Sequence, residues 1–204
     1  MNIARILYPV KTLGPGNRVG IWVCGCPRRC RGCANPELWE RRPEFEITVD
    51  RLREVISGIT AGRQVDGFTV SGGEPMAQPE DLEALVRYLG TVSKDIIVYS
   101  GFEYAELMKQ DSEVIQSVLA SIAVLIDGRY AEELNKDIVL RGSENQNVII
   151  LNERFRAKYE NYLKITRNQI QNFTTADGVV SVGIHNKDFK SKISSKIRGV
   201  LENG

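Results

Sequence analysis

Metal-binding side chains are scarce in this sequence: its 204 residues include one histidine and four cysteines. The single histidine, His185, lies far along the sequence from the cysteines, so a Cys3His site would have to reach across the domain; in a polar stretch it reads as an exposed side chain. Charge of one sign is lacking too. With 27 Lys and Arg against 26 Asp and Glu the net charge is +1, so no field favours nucleic acid or an anionic membrane as the main partner. No apolar run approaches the roughly 20 residues of a membrane-spanning helix, and the N-terminus lacks the zones of a signal peptide. A cytosolic protein is expected. No Pro/Gly/Ser-rich linker or block of charge divides the chain, which is long enough for one domain with a full core.

What is present is concentrated. All four cysteines, Cys24, Cys26, Cys30 and Cys33, fall within VCGCPRRCRGCANP, residues 23–36. In a reducing compartment such a cluster reads as a metal site rather than a disulfide framework. Zinc wants a tetrahedron of four ligands, usually two Cys pairs from separate hairpins, and no second pair exists here. An iron–sulfur cluster accepts several thiolates from one loop, and three of them leave one iron open for chemistry. Both readings stand at this point, the zinc form being a non-catalytic binding module.

Hydrophobic periodicity places this loop. VGIWV (19–23) reads as a buried strand running into the cysteines. A helix capped by Thr48 carries Leu52, Val55, Ile56 and Ile59 on one face and ends near Gly62. GFTVSGGEP (67–75) is a strand broken by two glycines, and Pro79 opens a helix with Leu82, Leu85, Val86 and Leu89 inside. The alternation continues with IIVYS (96–100), a helix over about 103–120, VLID (124–127) and VIIL (148–151). Short strands separated by helices predict an α/β fold with a parallel sheet, open or partly curled into a barrel, and helices outside. Functional loops then follow the carboxyl ends of the strands, where the cysteines, GGEP, SGF and DGRY all fall. Beyond residue 152 the reading gives a charged helical segment (152–163), a polar stretch and a strand at VVSVGI.

The spacing Cys26-x3-Cys30-x2-Cys33, with GGEP (72–75) at the end of the next strand, resembles the paired signature of radical S-adenosylmethionine (SAM) enzymes. GPGNRVGIWVCGCPRRCRGCANPELW (14–39), VYSGFEYAEL, LIDGRY and RGSENQNVI are similar, in order, to segments of the activating enzymes of anaerobic (class III) ribonucleotide reductase. The resemblance spans residues 1–151 as a radical SAM core domain and leaves 152–204 as a C-terminal extension packed on it. It implies a partial (β/α) barrel and a [4Fe-4S] cluster held by Cys26, Cys30 and Cys33. It also implies reductive cleavage of SAM to methionine and a 5′-deoxyadenosyl radical, which takes hydrogen from a glycine of a partner glycyl-radical enzyme. Gly72, Gly73 and Glu74 would hold the SAM amino group, and Ser100, Asp127 and Arg141 would contact the rest of SAM.

The electron donor implied is a reduced flavodoxin or ferredoxin; Arg28, Arg29 and Arg31 in the cysteine loop read either as charges that steer it or, more plainly, as a solvated basic loop. Arg18 and Asn35 also match the motif, with an ion pair and a loop turn as their plainer readings. Trp22 and Trp39 flank the loop as core or as shields against water. Cys24 departs from the pattern; as a fourth ligand it would close the iron that SAM must occupy, so it reads as a bystander. The divergent tail keeps open a radical SAM enzyme acting on a small molecule or another peptide.

Overall fold

The computed structural model describes residues 1–164, 167–176 and 178–189. Six strands form one sheet in chain order: β1 (Ile3–Val10), β2 (Arg18–Val23), β3 (Gly67–Gly72), β4 (Ile96–Tyr99), β5 (Val124–Asp127) and β6 (Asn147–Ile150). The central strands β2 to β5 are parallel, whereas β1 and β6 run antiparallel at the edges. The fold class is therefore the expected α/β, with a mostly parallel sheet rather than a wholly parallel one.

Two differences have local causes. Strand β1 is not expected from the sequence, because its apolar residues do not alternate cleanly and Pro9 argues against a strand; at an edge, however, a proline removes no needed ladder bond. VIIL is expected to pair in parallel, but only irregular chain and a short 3-10 turn (Glu132–Leu134) separate β5 from β6. Without a crossover helix the chain returns antiparallel.

Helices α1 (Val49–Thr60) and α2 (Pro79–Val92) fill the expected crossovers, and the Thr48 hydroxyl accepts a hydrogen bond from the Arg51 N–H at 3.2 Å to start α1. The single helix expected over 103–120 is two, α3 (Tyr104–Lys109) and α4 (Glu113–Ser121). The break comes where the Ser112 hydroxyl accepts from the Ile115 N–H at 3.4 Å, a local side-chain bond that restarts a helix rather than continuing one.

Alternate residues of each strand divide the core between the faces of the sheet. Ile21, Phe68, Val70, Ile96, Val98 and Leu125 meet the apolar sides of the four helices. Residues in the other phase face the C-terminal part of the chain. There α5 (Arg156–Tyr162) sets Tyr159 against Ile97, Val124 and Ile126. A separate hairpin of β7 (Ile170–Thr175) and β8 (Gly178–Gly183) sets Val182 in a cluster with Val10, Leu13, Trp22 and Cys24. Both faces of the parallel strands are thus covered, as their near-continuous apolar sequences require.

At the opening end of these strands Arg18 is fully buried. Its guanidinium donates to Asp95 Oδ1 at 3.1 Å, to the Asp95 and Phe68 carbonyls at 2.8 and 2.6 Å, and to Thr69 Oγ1 at 2.8 Å. The plainer reading of Arg18 as an ion pair is the one realised. Lys158 Nζ donates to Asp95 Oδ2 at 2.5 Å, and the Tyr159 hydroxyl donates to Oδ1, so the pair also ties α5 to the sheet.

Candidate functional site

The cysteine loop leaves β2 and is fastened along its whole start by backbone bonds. Cys24 N–H donates to the Asn2 carbonyl at 2.9 Å, Gly25 N–H to Leu38 at 2.9 Å and Cys26 N–H to Trp39 at 2.8 Å. Strand β3 ends alongside, where Gly73 N–H donates to the Val23 carbonyl at 2.7 Å and Glu74 N–H to Gly25 at 2.8 Å. The two glycines are required by this close approach. Gly72 has φ +110°, and a Cβ on it would lie 2.5 Å from the Val23 backbone; one on Gly73 would lie 2.5 Å from the Gly25 carbonyl oxygen. GGE is therefore bolted to the cysteine loop.

Between them lies a cavity of about 470 Å³ at the carboxyl ends of the strands. Cys26, Cys30 and Cys33 line it, and so do Gly72, Gly73 and Glu74. Ser100 and Gly101 after β4, and Gly128 and Tyr130 after β5, complete the rim that the strand order predicts. Cys24 stands apart: it is fully buried among Leu13, Trp22 and Leu38, and burial pushes its thiol up from the ordinary range. Among the described residues no three His, Cys, Asp or Glu side chains gather tightly enough to hold a single metal ion.

Glu74 is buried, and its carboxylate is already at work. Oε1 accepts from Met76 N–H and the Ser100 hydroxyl, both at 2.9 Å, and Oε2 accepts from Gly101 N–H at 2.6 Å. Burial pushes its pKa up against these bonds and against the nearby Arg28. Of about four lone-pair sites on a carboxylate, three are thus taken, leaving room for about one more donor. Ser100 contributes through this network, since its hydroxyl also accepts from Phe102 N–H at 3.1 Å.

Asp127 and Arg141 are not brought to the cavity wall. Asp127 is buried, with Oδ2 accepting from Tyr104 N–H at 2.7 Å and Oδ1 from Asn147 N–H and Nδ2 at 3.1 and 2.9 Å. It fastens the start of α3 to β6. Arg141 Nη1 donates to the Gln146 carbonyl at 3.0 Å and borders a separate hollow with Asp137 and Asn147. Their neighbours Gly128 and Gly142 line the cavity instead.

The loop arginines are paired: Arg28 with Glu106 at 2.7 Å, Arg31 with Glu132 at 3.4 Å, and Arg29 with Glu40. Arg28 also lies 4.0 Å over the Phe102 ring, on the cavity wall. Asn35 lines the cavity and makes the expected turn, its carbonyl accepting from Leu38 N–H at 3.1 Å. Trp22 both packs in the core and borders the cavity.

Sequence reasoning misses part of the wall. His185 is half-buried on the cavity rather than exposed; its Nε2 lies 3.0 Å from Ser181 Oγ, and its carbonyl accepts from Asn135 Nδ2 at 2.9 Å. Only the pairing of β8 with a second strand brings it there, and no local signal marks that. Gln146, within the polar segment 142–147, is a clamp: Nε2 donates to the Gly128 carbonyl and Oε1 accepts from Gly142 N–H, both at 2.8 Å.

The 4Fe-4S single cluster domain family matches residues 12–149. An anaerobic ribonucleoside-triphosphate reductase-activating protein of Enterobacteria phage T4 is 31% identical over 152 residues, 72% of this chain and 92% of the relative. Relatives of the same description from Vibrio cholerae and Escherichia coli K12 are 33% and 30% identical over 147 residues, 68% of this chain and 92% of each relative.

Proposed function

This chain belongs to the 4Fe-4S single-cluster family that includes the anaerobic ribonucleoside-triphosphate reductase-activating proteins, and on that premise we propose that it is a radical SAM activase. Its target is an anaerobic ribonucleotide reductase, on which it generates a glycyl radical. The observation that carries the reading is the convergence of Cys26, Cys30 and Cys33 with Gly72–Glu74 on one cavity while Cys24 is buried elsewhere. The donor set fits the cofactor, because three thiols on one cavity leave one iron without a protein ligand. When bound, the reduced cluster with SAM supplies a 5′-deoxyadenosyl radical, with methionine as co-product, that takes a hydrogen atom from glycine.

The chain's own residues bind and orient. Cys26, Cys30 and Cys33 hold three irons. Glu74 offers its remaining acceptor site, with the carbonyls of Gly72 and Gly73, to the SAM ammonium group, while Ser100 and Gly101 fix the carboxylate for that contact. Tyr130 and Gln146 continue the wall toward the rest of SAM. Asp127 acts by holding the loops rather than by touching SAM. In this reading the mostly parallel sheet serves as a partial barrel of the radical SAM type, and the electron comes from reduced flavodoxin or ferredoxin.

Anaerobic reconstitution with iron and sulfide, followed by reduction in the presence of SAM, is expected to release 5′-deoxyadenosine. A co-expressed anaerobic reductase is expected to gain a glycyl radical visible by electron paramagnetic resonance. Absence of 5′-deoxyadenosine from protein with a full iron load sinks the reading. One observation favours the second reading, a small-molecule or peptide substrate: residues 179–187 wall the cavity on one side and offer Ser181 and His185 as polar anchors. Consumption of a small substrate with no protein partner present would select it.

A further inference from the structure

The hairpin of β7 and β8 meets the cavity with an edge rather than a face. Val180 and Val182 pack on the cluster around Val10, Leu13 and Trp22, while Val179, in the opposite phase, is 69% exposed. A strand that met the cavity with one face would line it with alternate residues. Here Val179, Val180, Ser181, Val182 and Gly183 all line it, and no residue of β7 does. Strand β8 therefore lies between β7 and the cavity, with its outer backbone edge turned toward the opening.

That edge has no strand beside it among the described residues, since the hairpin is a two-stranded sheet. From outside the hairpin its backbone receives one bond, from Thr12 Oγ1 to the Val182 carbonyl at 3.1 Å. Exposed strand edges usually carry a charge, a proline or a bulge that discourages pairing with another chain. Gly178–Gly183, GVVSVG, has neither charge nor proline, and its register with β7 runs from Gly178 to Gly183 without a shift.

We propose that the free edge of β8 is the docking strand for the target: an extended, glycine-bearing segment of the reductase adds to it as a third strand and so reaches the cavity. The inference rests on the activase reading above. In that reading the hydrogen is taken from a main-chain Cα, so the target must be held by its backbone, and strand addition holds a chain by its N–H and C=O groups. An added strand lies about 4.8 Å from its neighbour, which sets it over the opening that the cysteines line. A glycine there carries no Cβ to hold its Cα away from the wall. The edge is continuous with the cavity where that glycine must arrive, and this favours the reductase segment over a second copy of the chain.

The test uses anaerobically reconstituted protein with SAM, the co-expressed reductase, and a synthetic peptide of about ten residues centred on the reductase's radical-bearing glycine. Amide hydrogen exchange, read by mass spectrometry, should slow over residues 178–184 when the reductase or the peptide is added, and not with SAM alone. Two further peptides carry backbone esters at alternate positions, one in each phase. Only alternate N–H groups of an added strand face β8, so esters in one phase should weaken the protection about tenfold and those in the other much less. Unchanged exchange over 178–184 with saturating reductase overturns the proposal, as does equal weakening by both ester peptides. Protection that grows with the concentration of this chain alone also overturns it, by giving the edge to a second copy. Absence of 5′-deoxyadenosine from the iron-loaded parent would instead overturn the activase reading, which separates the two failures.

Discussion

Single residues divide here into those that face the cavity and those that hold the frame, and the two sets predict different losses. Ser at position 26, 30 or 33 should each abolish iron binding after reconstitution, measured as iron per chain, with little effect on folding because all three are only partly buried. Cys24→Ser should keep its iron and lose about 1–3 kcal/mol of stability instead, the cost of placing a hydroxyl in an apolar cluster. Arg18 shows the frame at its extreme. Arg18→Ala takes one of three partners from the buried Asp95 carboxylate, which keeps Lys158 and Tyr159, and should cost about 1–3 kcal/mol in denaturant unfolding, while folded protein still takes up iron. Burial works against the charged form of Asp95, but Arg18, Lys158 and Tyr159 outweigh it and hold its carboxyl below the usual range. A depressed carboxyl contributes stability that is present above its unfolded pKa and lost as the pH falls through its folded one. Apo-protein melted across the acid range should accordingly show a stability loss below the ordinary carboxylate pKa that is smaller in Asp95→Asn.

At the scale of elements, the pairing of β3 with the cysteine loop carries most of the site. Gly73→Ala must push a Cβ against the Gly25 carbonyl, in the turn between Cys24 and Cys26, so it should disturb both halves of the cavity at once. We expect a cost of about 1–3 kcal/mol, with iron binding and SAM affinity falling together, readable from iron content and isothermal titration with SAM. This joint is legible in the sequence only in part. Glycine after a strand marks a backbone that must come close to something, but the sequence does not say whether that is a ligand or the neighbouring chain; here it is first the neighbouring chain. The crossover helices are readable because their faces repeat at helical period and Thr48 and Pro79 mark their starts. Strand β1 is not, since an edge strand tolerates both Pro9 and half-buried residues, and α3 and α4 look like one helix because their apolar faces stay in phase across Ser112. Asp127 looks like a site residue from its place after a strand; position along the chain does not reveal that two neighbouring elements consume its carboxylate.

For the whole molecule, the decisive relation is between the six-stranded core and the C-terminal extension. The family match stops at residue 149, yet the sheet face opposite the helices is completed by later residues, with Tyr159 and Val182 both buried against it. Hydrogen bonds stitch this part down at distant points: Thr12 Oγ1 donates to the Val182 carbonyl at 3.1 Å, and Gln171 Nε2 to the Pro9 carbonyl at 2.8 Å. The extension is therefore part of the core as well as one wall of the cavity. Full burial of a side chain such as Val182 is worth about 1.5–3 kcal/mol, so Val182→Asp, which adds an unpaired charge, should lower the melting temperature clearly. Because Val182 lies on the same strand as Ser181, that variant also loosens the wall facing the cysteines. Ser181→Ala should leave the melting temperature nearly unchanged, since the residue is half-buried and its hydroxyl meets only the His185 ring among the described residues. If the extension only completes the core, Ser181→Ala should leave activation of the reductase unchanged. If the wall also meets the partner's glycine segment, the same variant should raise the concentration of reductase needed for half-maximal radical formation while 5′-deoxyadenosine release without partner stays the same.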